Sequence, residues 1–255
     1  MAMAETPEDA ALAAMHTPEA IEQRIAATGQ HSYLGDFVLG AVDGAVTTFA
    51  IVAGAAGAGL STGVAIVLGL ANIAADAFSM AASNYLKSRS DRQIVDRFRR
   101  MEEMHIDRMP EAEREEIRQI FAAKGFEGEI LEEIVSVITK DRRQWVDTML
   151  TDEWGLQLDA PSPTKSALAT FASFVLAGIV PLLPLFFAFW LATERLFLAS
   201  ALLTGATFFG IGVVRGRLSD RNSWWTGLET LAIGGIAAGL AFVVGKLLHD
   251  FAGVV

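Results

Sequence analysis

Two apolar stretches decide the fold class of this chain: GDFVLGAVDGAVTTFAIVAG at residues 35–54 and GVAIVLGLANIAADAFSMAASNYLK at residues 63–87. Each is about as long as a membrane-spanning helix, which needs roughly 20 residues. The short uncharged segment AAGAGLST joins them. The pattern therefore predicts a hairpin of two transmembrane helices.

Polar and sulfur-bearing side chains interrupt this hairpin, with Asp43 in its first half and Asn72, Asp76 and Met80 in its second. The spacing i, i+4, i+8 places the last three on one stripe of a helix. A carboxylate at mid-bilayer costs about 2.5–3.5 kcal/mol on insertion scales, so such groups face protein or water and mark ion paths. The stripe favours a cation path. Interhelical hydrogen bonds, with Met80 as apolar filling, remain an open alternative.

The remainder of the chain separates apolar from charged material. Its 255 residues are 52% hydrophobic yet include 30 acidic and 20 basic residues, which indicates a membrane protein with a soluble insert. Apolar stretches at residues 166–190, 196–214 and 225–248 bring the predicted transmembrane helices to five, the first of these kinked by Pro181 and Pro184. Cysteine is absent, which excludes disulfides and thiolate chemistry. The predicted fold is an all-α polytopic membrane protein.

A charged insert separates the second span from the third. No glycine or proline occurs between Gly69 and Pro110, so one helix is predicted from Leu70 to Met109, roughly twice the hydrocarbon thickness. Pro110 suits the start of a second helix that Gly125 closes, and a third amphipathic helix is predicted over 128–155. The predicted domains are an N-terminal arm (1–32), spans 1 and 2 (33–87), a three-helix domain (88–160) and spans 3 to 5 (161–255).

Basic residues predict the topology. They are nearly absent from the first loop and from the turn near residue 194, and they cluster after the second and fourth spans, at Lys87, Arg89, Arg92, Arg97, Arg99, Arg100, Arg215, Arg217 and Arg221. By the positive-inside rule, the N-terminus and the insert are cytoplasmic and the C-terminus lies outside. We expect the basic run near residue 97 to lie against anionic lipid at the inner surface, and the chain has no nucleic-acid-binding motif.

The insert carries a second group of candidate ligands. They are spaced as pairs on helix faces: Glu102 with His105, Glu113 with Glu116, and Met149 with Glu153. Three packed helices can bring such pairs together into one site. Carboxylate, imidazole and thioether ligands suit a first-row ion such as Fe²⁺ or Mn²⁺ better than calcium. A solvated acidic face would show the same spacing, and spacing alone leaves that alternative open.

Several motifs, in order, resemble the vacuolar iron transporter family, including its bacterial members. These motifs are GDFVLGAVDGAVTTFAIVAG, ADAFSMAASNYL, QWVDTMLTDEWGL, AGIVPLLPL and GGIAAGLAFVVGKLL. The likeness spans residues 33–249. It implies a homodimer, not an enzyme, that exports Fe²⁺ from the cytosol in exchange for protons, without a prosthetic group. Mn²⁺, Co²⁺ and Zn²⁺ are further candidate ions. The appearance of ANIAADAFSMAAS favours a bacterial inner membrane, and a eukaryotic chain would lie in a vacuolar-type membrane.

The resemblance also implies site residues. Asp43 and Met80 match the family's transport residues, and its cytoplasmic metal site matches Glu102, Glu113, Glu116, Met149 and Glu153. Two positions differ from plant members, because His105 and Asn72 stand where those carry glutamate. His105 would make metal capture weaken as the pH falls, because a protonated imidazole cannot bind metal. Asp76, one turn after Asn72, is a candidate to handle protons or ions in place of that glutamate.

Two other functions fit parts of the sequence. A membrane-anchored di-iron oxidase or storage module would use a glutamate-rich helix bundle, although Glu-x-x-His occurs on only one helix, at Glu102 and His105. A membrane-bound metal sensor would report ion levels through the insert. Neither function needs carboxylates such as Asp43 and Asp76 inside the bilayer.

Overall fold

The computed structural model describes residues 7–27, 32–188 and 193–252, and the regular elements in these ranges are all helical. In chain order they are α1 (Pro7–Met15), α2 (Pro18–Ala27), α3 (Leu34–Gly57), α4 (Thr62–Arg108), α5 (Pro110–Ala123), α6 (Gly128–Lys140), α7 (Arg142–Thr148), a π-helical turn (Met149–Glu153), α8 (Pro163–Gly178), a 3₁₀ helix (Val180–Phe187), α9 (Thr193–Leu218) and α10 (Ser223–Ala252). The chain divides into two compact units. One comprises Arg92–Ala160 and the N-terminal helices, and the other comprises Tyr33–Asp91 and Pro161–Val255.

Five helical segments of the described chain are long and apolar enough to cross a membrane. They are α3, α4, α8 with its 3₁₀ extension, α9 and α10. This confirms the five predicted spans and the all-α fold class, and the chain is an integral membrane protein. The uninterrupted helix predicted after Gly69 is also confirmed, because α4 runs for 47 residues and ends at Arg108, just before Pro110.

The prolines of the third span change its helical geometry. The α-helix ends at Gly178, and Pro181 and Pro184 lie in the 3₁₀ helix that follows. Proline cannot donate a backbone hydrogen bond, so carbonyl groups near it need other partners. The Ser200 hydroxyl supplies one by donating to the Pro181 carbonyl oxygen at 2.6 Å. The predicted end of this span, Trp190, lies outside the described residues.

Small residues let the membrane helices approach closely. A Cβ added at Gly44 of α3 would meet the backbone of Phe174 in α8, and one at Gly245 of α10 would meet the carbonyl oxygen of Gly54. Glycine-mediated packing of α10 is therefore observed at Gly245, whereas a Cβ at Gly239 would enter open space. The absence of side chains at the contacts allows the backbones to pack at van der Waals distance.

The third helix predicted for the insert is wrong as a single element. The helix is interrupted at Asp141, whose backbone is extended (φ −104°, ψ 110°) between α6 and α7. The Asp141 carboxylate accepts hydrogen bonds from the backbone N–H groups of Arg143 and Gln144, so it caps the start of α7. Aspartate competes for local backbone donors in this way, and here it starts a new helix.

An apolar core and ion pairs between helices hold the insert together. The core includes Ile117, Val146 and Leu150, each almost completely buried. Arg118 of α5 pairs with Glu132 of α6 at 2.7 Å, measured from Nε to Oε1. Further pairs join Arg142 to Asp107 and Lys124 to Asp152, both at 2.6 Å. These ion pairs join α5 to α6, the end of α4 to α7, and the end of α5 to the π turn.

Candidate metal site

Three potential metal ligands lie together where α4 ends and α5 begins. Glu102 and His105 share a face of α4, and Glu113 lies in the first turn of α5. One ligand atom from each of the three lies within 4.8 Å of the others. His105 Nδ1 lies 3.4 Å from Glu113 Oε1. The turn at Met109 and Pro110 therefore brings together the helix faces that carry Glu102, His105 and Glu113.

Two of these carboxylates are buried. The residues Glu102 and Glu113 expose 1% and 3% of their surface, whereas the His105 side chain remains 42% exposed. Within the described chain, Glu102 Oε2 and Glu113 Oε2 are both buried and have no hydrogen-bond partner. Buried carboxylate oxygens without donors are costly, and a bound cation compensates that cost.

Glu116 and Glu153 contribute charge to the same region. Burial raises the pKa of Glu113 to about 8, and the charges on Glu116 and Glu102 add to the shift. Partial burial of its carboxyl group raises the pKa of Glu153 to about 7, and the charges on Glu102 and Glu116 add to the shift, although the residue as a whole is exposed. Burial and Glu102 raise the pKa of Glu116, which His105 partly offsets. Four carboxylates therefore share one electrostatic environment.

Met149 occupies the apolar core beside this region. It is completely buried with the hydrophobic cluster of the insert and begins the π turn that ends at Glu153. The recorded packing of Met149 is apolar. That Met149 is a thioether ligand therefore stays a prediction from the sequence.

Sequence reasoning missed Trp154, which contacts the site directly. Its indole Nε1 donates a hydrogen bond to Glu102 Oε1 at 2.9 Å. The indole also packs on the ring of Phe98, with a centroid distance of 4.6 Å. The available signal was its place beside Glu153 in QWVDTMLTDEWGL, although the residue is 41% exposed and its N–H group could also have been satisfied by water.

The predicted polar stripe lies on α4, in the unit that comprises Tyr33–Asp91 and Pro161–Val255. Asn72, Asp76 and Met80 are all half-buried, and the Asn72 amide donates to the Asp76 carboxylate. Asn72 Oδ1 is buried without a partner in the described chain. The half-buried Asp43 of α3 interacts electrostatically with Asp76. Met80 packs against the apolar cluster of this unit. The structure thus brings Asp43, Asn72 and Asp76 into one polar region of the chain.

The hydrogen bonds of Asn84 were not predicted from the sequence. Asn84 continues the stripe one turn after Met80, and its amide donates to Asp36 Oδ1 at 3.0 Å and to Thr170 Oγ1 at 2.8 Å. It therefore joins three helices, α3, α4 and α8. The i+4 repeat from residue 72 to residue 84 was visible in the sequence, although the partners on other helices were not.

Comparisons with known proteins agree over most of the chain. The model of the VIT family matches residues 34–246. A vacuolar iron transporter of Centaurea cyanus is 32% identical over 214 residues, covering 83% of this chain and 86% of the relative. The vacuolar iron transporter 1 of Eucalyptus grandis is 32% identical over 216 residues, covering 84% and 86%. A vacuolar iron transporter of Toxoplasma gondii is 32% identical over 227 residues, covering 85% and 74%.

Proposed function

Because the chain belongs to the VIT family and is a metal transporter, not an enzyme, we propose that it exports Fe²⁺ from the cytosol in exchange for protons. Mn²⁺, Co²⁺ and Zn²⁺ are further candidate cargo ions. The transported ion is bound directly by side chains, so the proposal includes no prosthetic group. It also includes a homodimer in a bacterial inner membrane, or a vacuolar-type membrane if the chain is eukaryotic, with a cytoplasmic N-terminus and insert and an external C-terminus.

One observation supports the capture step of this proposal: one ligand atom from each of Glu102, His105 and Glu113 lies within 4.8 Å of the other two, and two carboxylate oxygens of the group are buried without donors among the described residues. Oxygen and imidazole ligands in this ratio suit Fe²⁺ and Mn²⁺. Glu116 and Glu153 extend the acidic field around them. Met149 adds a soft ligand in the proposed set.

Carboxylates along the membrane stripe support the exchange step. The charge of Asp76 acts on Asp43, and the Asn72 amide donates a hydrogen bond to one Asp76 oxygen. A carboxylate can hold either a proton or a metal ion, so alternate occupancy at Asp43 couples the two flows. The sulfur of Met80 would favour Fe²⁺ over Mg²⁺ or Ca²⁺.

Fe²⁺ uptake into proteoliposomes with an acidic lumen tests this function. The intact chain should accumulate Fe²⁺ more rapidly when the proton gradient is present, and Asp43→Asn should abolish uptake because it removes the charge while keeping the size. The exposed Asp159 offers a matched control, and Asp159→Asn should transport normally. Wild-type uptake by Asp43→Asn would refute the path. Oxygen consumption with Fe²⁺ would instead favour the oxidase. Tight metal binding without any transport would favour the sensor.

A further inference from the structure

We propose that Trp154 is a positioning residue of the metal site, whose indole N–H group orients the Glu102 carboxylate for metal binding. The inference rests on the proposed function, because it assumes that Glu102 binds the captured ion. The Trp154 N–H occupies Glu102 Oε1 at 2.9 Å, while Glu102 Oε2 is buried and lacks a partner in the described chain. One oxygen is thus fixed by the protein and the other is left for a cation.

The indole is itself held in place from two sides. Phe98 lies four residues before Glu102, on the same face of α4, and its ring packs against Trp154 with a centroid distance of 4.6 Å and an interplanar angle of 48°. The backbone N–H of Trp154 donates to the Met149 carbonyl oxygen at 3.2 Å, which closes the π turn. Trp154 therefore covers the α4 face that carries Glu102.

The chemistry of the indole restricts it to this supporting role. Its nitrogen donates a hydrogen bond and offers no lone pair to a metal ion, so Trp154 cannot be a ligand. A donor fixed on one carboxylate oxygen restricts rotation of the carboxylate group. Hydrogen bonds that orient metal ligands in this way typically contribute about 10- to 100-fold to metal affinity.

A second tryptophan in the insert provides the matched control. Trp145 is 4% exposed, and its Nε1 is buried without a hydrogen-bond partner among the described residues. The Arg114 guanidinium lies over its ring at 5.9 Å. A Trp145→Phe change removes an indole from the core of the same insert without removing a donor from a ligand.

The test measures Co²⁺ affinity and the Co²⁺ visible absorption spectrum of the full-length protein in detergent. Trp154→Phe keeps a ring beside Phe98 and should weaken Co²⁺ binding about tenfold, with a shifted absorption band. Trp145→Phe should leave both unchanged, whatever it does to the melting temperature. Trp154→Phe should also cause no further loss when added to Glu102→Gln, because it acts through Glu102.

Each other outcome overturns the inference in a recognisable way. If wild-type and Trp154→Phe proteins bind Co²⁺ equally while Glu102→Gln binds it weakly, the positioning role is wrong and the capture site stands. Additive losses in the double variant would show that Trp154 acts independently of Glu102. Failure of the folded wild-type protein to bind Co²⁺ at the insert would remove the proposed capture step and this inference together.

Discussion

The imidazole of His105 lies 3.4 Å from the carboxylate of Glu113, measured from Nδ1 to Oε1, across the junction of α4 and α5. The Glu113 side chain is 4% exposed and that of His105 is 42% exposed. This pair therefore joins a buried acidic group to one that solvent can reach. A cation arriving from water can meet the imidazole before it meets the buried carboxylates.

His105→Ala should weaken binding of Fe²⁺ or Co²⁺ by at least about tenfold, because it removes the single nitrogen ligand of the group. Calorimetry on the full-length protein in detergent measures the affinity. His16 supplies the control, since its Nδ1 contacts the Leu12 carbonyl oxygen in the exposed helix α1. Equal affinities in His105→Ala, His16→Ala and the wild-type protein would remove His105 from the ligands.

Metal binding should release protons near neutral pH. The pKa of Glu113 is raised to about 8 and that of Glu153 to about 7, so at pH 7 Glu113 is mostly protonated and Glu153 is about half protonated, and a metal ion must displace these protons. Affinity should rise as the pH increases from 6 to 8. Calorimetry in two buffers of different ionisation enthalpy counts the protons, and Glu113→Gln should reduce the count. A pH-independent affinity would contradict the arrangement of carboxylates described above.

The sequence predicted the helices better than the contacts between them. The unbroken α4 follows from the lack of glycine and proline after Gly69, since helix propensity and hydrophobicity act locally. The break at Asp141 was missed because apolar spacing continues on both sides of it, and the capping geometry of its carboxylate depends on local backbone angles. Trp154 and Asn84 were missed because their partners lie 52 and 48 residues away, and helical periodicity carries no information about such pairs.

Glu113→Gln should stabilise the metal-free protein at pH 8 and have little effect at pH 5. Because the folded-state pKa is raised above that of the unfolded chain, the native state holds the extra proton between about pH 4.5 and 8. Stability is therefore fully present below that range and lost as the pH rises through it. We expect a gain of ~2–4 kcal/mol at pH 8 from a neutral amide at this buried position.

Thermal unfolding in detergent at both pH values measures this effect. Glu111 precedes Glu113 by two residues and its side chain is 84% exposed, so Glu111→Gln is the matched control and should shift neither melting temperature. A Glu113→Gln variant that is less stable than the wild-type protein at pH 8 would show that Glu113 is held in its ionised form.

Asp76→Asn should reduce proton-driven Fe²⁺ uptake more than tenfold, whereas Asn72→Ala should retain most of it. Because Asp76 interacts electrostatically with Asp43, we expect its charge to contribute to the binding of a cation at the proposed path between α3 and α4. Asn72 supplies a hydrogen bond to the Asp76 carboxylate but no charge. Uptake by each variant is compared in proteoliposomes with and without an acidic lumen. If Asn72→Ala fails and Asp76→Asn transports normally, the amide and not the carboxylate carries the ion at this turn of α4.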